Sequence, residues 1–300
     1  MSERTTPADI TAAVVASFDG CADARLCEIL QALTRHLHAF AAEVGLTLEE
    51  WERGIGILTA TGHITDERRQ EFILWSDALG LSMLVDALAN PLPPAATEST
   101  VLGPFYSPGA PLREYGANLA AKPAGDPAWV HGRVLDTEGR PLAGAELDVW
   151  QNGDDMLYAV QVPDGPDEHL RGRFRTRADG SYAFLAVRPV PYPIPDDGPV
   201  GQMLEASGRH PWRPAHIHLI ARAAGHRTLA THIFDAAGEY LSSDAVFAVK
   251  PSLLRTFVPH EAGDPGTPEG VGARWFSLEN DIVLARDADP REPRDPGRTA

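Results

Sequence analysis

From Leu26 the apolar residues fall at Leu26, Leu30, Leu33, Leu37 and Phe40. This 4-3-4-3 spacing lays one continuous stripe along a helix. Thr47 followed by Glu50 reads as a capping box that opens a second helix over 48–58. A third helix is predicted from about Asp66 to Leu79, carrying Phe72, Ile73 and Trp75, and a shorter one over 81–89. Gly45, Gly62 and Gly80 stand where such helices end. The stripe suits packing within a small helical bundle, and it equally suits a seam between two subunits.

The pattern then changes. Asn90-Pro-Leu-Pro-Pro-Ala-Ala reads as a linker, and residues 104–111 stay rich in Pro and Gly. Strands are predicted over 129–135, 145–150, 181–187, 216–222 and 228–234. Turns fall at 136–139, 178–180 and 224–226. In 145–150, Ala145, Leu147 and Val149 alternate with Glu146, Asp148 and Trp150, as in a strand with one solvated face. Short strands at this spacing point to a β-sandwich, so the fold class is α+β: an N-terminal helical segment followed by a mainly antiparallel sandwich. The expected domains are 1–100 (helices and linker), 101–286 (sandwich) and a charged, Pro-rich, mobile tail at 287–300.

Composition narrows the functions. The 300 residues are 43% hydrophobic, enough for one large domain or two modest ones. A net charge of −16 repels phosphate backbones and argues against nucleic acid as a partner. Cys21 and Cys27, placed on different faces of one helical pattern, are expected to be too far apart to bridge. Two unpaired thiols suggest a reducing compartment. No signal peptide is evident, and no apolar stretch approaches the roughly 20 residues of a membrane span. A soluble, cytoplasmic protein is therefore expected. Internal repeats, a phosphate-binding glycine loop and a G-x-S-x-G elbow are all missing from the sequence, which leaves nucleotide enzymes and nucleophilic hydrolases unsupported.

The chemistry-bearing signal is His216-Ile217-His218. On a strand, residues i and i+2 share a face, so both imidazoles project together while Ile217 and Leu219 face the core. That is half of a first-row metal site, and zinc, copper and iron all stay open. Tyrosines at 106, 115, 158, 182, 192 and 240, or carboxylates such as Asp154, Asp155, Asp196 and Asp197, are available to complete it.

Longer stretches carry a resemblance. They are Leu102-Gly-Pro-Phe-Tyr106, Asp148-Val-Trp-Gln-Asn-Gly153, the segment 173–184, Tyr192-Pro-Ile-Pro-Asp-Asp-Gly-Pro-Val200, and the segment 204–218 ending in Arg-Pro-Ala-His-Ile-His. Together they resemble the intradiol ring-cleavage dioxygenases. Helices ahead of a sandwich are similar to the catechol 1,2-dioxygenase branch. Phe72-Ile-Leu-Trp-Ser-Asp77, Pro191-Tyr-Pro-Ile-Pro195 and Thr231-His-Ile-Phe234 look most like hydroxyquinol 1,2-dioxygenases.

The resemblance implies one Fe(III) per subunit, held by Tyr158, Tyr192, His216 and His218. Tyr158 here follows Asp-Asp-Met-Leu, where many relatives have a glycine and an aromatic. It implies that Tyr192 leaves the metal to take a substrate proton and that Arg213 stabilises charge on the ring. Leu74, Asp77, Val101, Gly103, Pro104, Phe105, Ile194, Pro195, His232 and Val246 match substrate-pocket positions. Asp77 is expected to accept a hydrogen bond from a third ring hydroxyl, and His232 stands where catechol-specific relatives often have glutamine. The implied reaction joins an aromatic diol or triol with O2, turning hydroxyquinol into 3-hydroxy-cis,cis-muconate or maleylacetate. A homodimer through the N-terminal helices, sometimes with a phospholipid, is implied too. Catechol or a chlorocatechol is the alternative substrate. A zinc hydrolase and a non-catalytic binding module are remoter readings.

Overall fold

Helices form where caps and stripes coincide. The computed structural model describes residues 4–66, 69–123, 125–162, 165–166 and 168–287. The expected tail thus falls outside the described residues from 288 on. The chain clusters into two compact units, Met1–His63 and Ile64–Ala300.

In the first unit, α1 spans Pro7–Ala16, α2 Ala24–Val44 and α3 Leu48–Ile64. The sequence reading began its helices at Leu26 and passed over α1, whose Thr6–Asp9 capping box and Pro7 open a short apolar run. Asp23 caps α2 by accepting from the N–H groups of Arg25 and Leu26, and Gly45 ends it in the left-handed conformation at φ +62°. The Thr47–Glu50 box forms as expected: the Glu50 N–H donates to Thr47 Oγ1, and the Thr47 N–H to Glu50 Oε2. α3 runs past the expected end, so Gly62 lies inside it. Cys21 sits in the connection before α2, and the Cys27 thiol donates to the Phe18 carbonyl at 2.8 Å. Cys21 thus lies outside the helical pattern in which the sequence reading placed it, because the Asp23 cap starts α2 after it. Both thiols are free.

The second unit holds α4 (Glu71–Ala78), α5 (Leu81–Ala89), α6 (Pro199–Ala206) and the strands. These are β1 (Pro127–Asp136), β2 (Glu146–Trp150), β3 (Arg171–Arg175), β4 (Ser181–Val187), β5 (Tyr192–Pro193), β6 (Trp212–Arg213), β7 (His216–Arg222), β8 (Leu229–Asp235), β9 (Leu254–Arg255), β10 (Val258–His260), β11 (Trp275–Glu279) and β12 (Ile282–Leu284). One sheet runs β10-β11-β1-β12, with β4 also paired to β1, and the other runs β3-β2-β7-β8-β9. β1 pairs antiparallel with β4 but parallel with β11 and then β12. Where β1 changes partner, a Cβ on Gly132 would lie 2.0 Å from the Asn280 carbonyl oxygen, so only glycine admits the crossing chain.

The inward faces of both sheets form the main core, including Val130, Val134, Leu147, Phe174, Phe184, Ile217, Leu219 and Leu278. Each such side chain stabilises the fold by about 1.5–3 kcal/mol through burial. A second cluster joins Leu74 and Ala78 of α4 to Val200 and Leu204 of α6, Ile194 and Val246. Glu71 fastens this corner: its buried carboxylate accepts from the Val200 N–H at the start of α6 and from Arg69 Nε.

Two expectations change here. β2 is buried on both faces apart from Glu146, because Tyr106 covers Asp148 and Trp150. β3, with its three arginines, gave no strand signal. Its Arg173 side chain donates to the Ala110 carbonyl of a covering loop, which makes charge compatible with burial there.

Asp136, at the end of β1, accepts from the N–H groups of Glu138 and Arg140 and from the Arg140 guanidinium. Burial opposes its charge, but these donors outweigh burial and hold the carboxyl at about 2 against an ordinary 3.8. A depressed carboxyl stabilises the fold above its unfolded value and loses that contribution as pH falls through its folded one. Asp136→Asn should therefore lower Tm at pH 7, and the gap from the unmutated protein should close as pH falls from 3.8 toward about 2 in thermal melts.

Candidate metal centre and active site

The site grows from the register of β2, β7 and β8. His216 and His218 share one face of β7, while Ile217 and Leu219 enter the core, as the alternation predicts. Trp150 of β2 and His232 of β8 stand directly opposite His218 on either side, and Phe234 stands opposite His216. Trp150 stacks on the His218 ring at 4.7 Å and 12°. All three histidines are buried.

Two tyrosines reach this row from outside the sheet. Tyr158 Oη lies 3.0 Å from His218 Nε2 and 3.5 Å from His216 Nε2. The two Nε2 atoms are 3.1 Å apart. Tyr192 begins β5 and pairs in register with Arg213 of β6, whose Nη1 donates to the Tyr192 hydroxyl at 3.2 Å. The Tyr158 and Tyr192 rings meet edge-on at 5.3 Å. Two phenol oxygens and two imidazole nitrogens thus meet at one buried point.

The donor chemistry fits a metal cation. His216 Nδ1 donates to the Pro214 carbonyl at 2.7 Å, which leaves Nε2 with its lone pair. Burial, and after it Arg213, holds His216 well below the ordinary imidazole range; burial, then His216 and Arg213, does the same for His218. Both rings are neutral at pH 7, and neutral imidazole is the form that ligates a metal. Burial, then Tyr192, pushes the Tyr158 phenol well above its usual range, so it ionises only against a metal charge. Hard phenolate oxygen with imidazole suits a hard first-row ion.

The ligand atoms of His216, His218 and His232 lie within 4.8 Å of one another. Yet His232 Nε2 is bonded to His218 Nδ1 at 2.7 Å, the nitrogen turned away from the tyrosines. The candidate carboxylates stay outside. Asp154 and Asp196 are exposed, Asp155 pairs with Lys122, and Asp197 pairs with Arg69. That removes the donors a zinc-hydrolase reading required.

Family-model comparison matches residues 101–285 to "Dioxygenase" and 23–97 to "Catechol dioxygenase N terminus". The chain belongs to the intradiol ring-cleavage dioxygenases. It is 50% identical to the hydroxyquinol 1,2-dioxygenase of Nocardioides simplex, over 92% of this chain and 94% of that one. Its fold is similar to the solved hydroxyquinol 1,2-dioxygenase of Pseudomonas putida DLL-E4, with TM-score 0.89 and 48% identity over 94% of this chain and 99% of that one. It is similar too to catechol 1,2-dioxygenase of Pseudomonas arvilla C-1, with TM-score 0.81 and 27% identity over 94% and 93% of the two chains.

Several positions that the resemblance assigns to a substrate pocket pack together. Leu74, Ile194 and Val246 pack in one cluster with half-buried Val101 against it. Phe105 stacks on Tyr158 at 4.7 Å and meets Tyr192 edge-on. Gly103 has φ +79°, and a Cβ there would lie 3.2 Å from His218 Cε1, so the loop can pass over the imidazole only as glycine. Pro104 is exposed beside Phe105, and Pro195 is half-buried after Ile194. Asp77 is buried; burial raises its carboxyl, against the pull of a Ser82 hydrogen bond and of Arg213.

Sequence reading missed Asp244. Its carboxylate meets Arg213 Nε at 3.2 Å, accepts from the N–H groups of Val246 and Ala248, and is as buried as Arg213. Nothing local marks it, since the partner lies 31 residues away. Burial works against the Arg213 charge, but Asp244 more than compensates and keeps the guanidinium above its ordinary range. Removing one partner of a buried ion pair costs about 3–5 kcal/mol. Asp244→Ala should lose about that much in urea unfolding, far more than an exposed Asp→Ala change.

Proposed function

We propose that this chain cleaves hydroxyquinol between its adjacent hydroxyls with O2, at an Fe(III) held by Tyr158, Tyr192, His216 and His218. The observation that carries this reading is the meeting of two phenol oxygens and two Nε2 atoms in one buried site, 3.0–3.5 Å apart where Tyr158 meets the imidazoles. Ferric iron, when bound, supplies the Lewis acidity to hold a catecholate and the electron demand that makes its ring reactive to dioxygen.

The residues divide the remaining work. Tyr192 takes one substrate proton, and Arg213, 3.2 Å from its hydroxyl, orients it for that transfer. Arg213 also stabilises negative charge that builds on the ring. Leu74, Val101, Ile194 and Val246 form an apolar wall that excludes water. Asp77 accepts a hydrogen bond from the third hydroxyl that distinguishes hydroxyquinol from catechol. Two observations favour hydroxyquinol over catechol: the burial of Asp77, and identity of 48–50% to two hydroxyquinol 1,2-dioxygenases against 27–40% to two catechol 1,2-dioxygenases.

The same reading includes a homodimer through the N-terminal helices, a bound phospholipid and a cytoplasmic location. Leu26, Leu33, Leu37 and Phe40 of α2 are each about half exposed, as an unpaired seam would be. A groove of about 820 Å³ between α1 and α2, lined by Ile10, Val15, Ala39 and Ala42 with Arg35 and His38, offers an acyl chain an apolar bed and its headgroup a cation. The free thiols support a reducing compartment. Among the described residues no single helix is long and apolar enough to cross a membrane.

Purified protein should show a visible tyrosinate-to-iron charge-transfer band that shifts when hydroxyquinol is added without oxygen. A colourless, zinc-loaded protein would overturn the ferric reading. Losing a hydrogen bond to a charged group costs about 1.5–3 kcal/mol. Asp77→Asn should therefore lower kcat/KM for hydroxyquinol about ten- to a hundred-fold more than for catechol, and equal losses on both would remove Asp77 from substrate recognition.

A further inference from the structure

We infer that His232 and Thr100 form a hydrogen-bonded support that holds His218 with its Nε2 lone pair turned to the metal position. His232 is then a positioning residue, not a contact to substrate. The inference rests on the ferric reading above.

The geometry runs in one direction. His218 Nε2 faces Tyr158 Oη at 3.0 Å and His216 Nε2 at 3.1 Å, so Nε2 is the ligand atom and Nδ1 carries the hydrogen. That Nδ1–H points at His232 Nε2, 2.7 Å away. His232 Nε2 must then accept, which puts the His232 hydrogen on Nδ1. His232 Nδ1 lies 2.9 Å from Thr100 Oγ1, which accepts it. Each step fixes the tautomer of the next.

Backbone contacts keep the support in place. The Thr100 N–H donates to the Ala230 carbonyl at 2.9 Å, and Thr231 Oγ1 donates to the Glu98 carbonyl at 2.7 Å. The segment before the sandwich is thereby tied along β8, with the Thr100 hydroxyl beside His232. His232 is 1% exposed and both its ring nitrogens are engaged, so it has no free donor for a substrate hydroxyl. Trp150 holds the face of the same imidazole, and His216 has its own support in the Pro214 carbonyl.

The test compares the iron-loaded enzyme with His232→Leu, His232→Gln and Thr100→Val. The readouts are iron loss to a chelator and the position of the charge-transfer band. His232→Leu should weaken iron retention about 10–100-fold, the usual cost of removing a partner behind a metal ligand, and should move the band. Glutamine can accept from His218 and donate to Thr100, so His232→Gln should restore both. Thr100→Val should shift both in the same direction by less, and it carries the test if His232→Leu does not fold. Unchanged iron retention and band in His232→Leu, with only KM for hydroxyquinol raised, would overturn the support and make His232 a substrate contact. In Thr100→Val, unchanged values of both would overturn it as well. An unmutated protein that holds iron with no charge-transfer band would instead overturn the ferric reading, and the support with it.

Discussion

Two neutral imidazoles bring their Nε2 atoms to 3.1 Å of each other inside a buried site, and the neighbouring groups are arranged around that pair. Strand alternation creates it, by placing His216 and His218 on one face of β7. Burial keeps both rings neutral, so neither takes up a proton at neutral pH. In the proposed ferric reading a cation would take up the imidazole lone pairs, and the phenols of Tyr158 and Tyr192 would supply the negative charge it needs in a low-dielectric site. A loop that crosses the imidazole as glycine at 103 leaves the space for these groups to meet.

Charge is handled locally around this centre. Arg213 is a permanent cation with almost no contact with water, acceptable only because Asp244 sits against it with two further N–H donors on its carboxylate. The pair leaves one edge of the guanidinium facing Tyr192 and His216. On the proposed reading, this fixed positive charge would stabilise negative charge on a substrate ring without reorganisation. The −16 net charge of the whole chain has little bearing on this corner, where the balance is set by groups a few ångströms apart.

The helical corner completes the site by geometry more than by chemistry. α4 is fastened to α6 through Glu71, Leu74 and Ala78, and α6 follows directly from the segment carrying Tyr192 and Ile194. Leu74, Ile194, Val246 and the buried Asp77 are therefore held on one rigid support. A hydrophobic wall alone discriminates poorly against rings differing by a hydroxyl, whereas a buried acceptor penalises the ring that lacks it.

The sequence by itself determined what depends on near neighbours along the chain. The Thr47–Glu50 cap, the α2 stripe and the shared face of His216 and His218 were legible because each follows from offsets of two to four residues. Where a local signal misled, a non-local contact was the cause: the solvated face expected for β2 is covered by Tyr106. The tyrosines were nameable only through resemblance, since spacing does not say which of six reaches the imidazoles. Tertiary structure alone decided that Asp244 neutralises Arg213 and that His232 backs His218 with Thr100, partners 31, 14 and 132 residues apart. Cross-strand register and loop path bring such groups together, and no local pattern of residues encodes either.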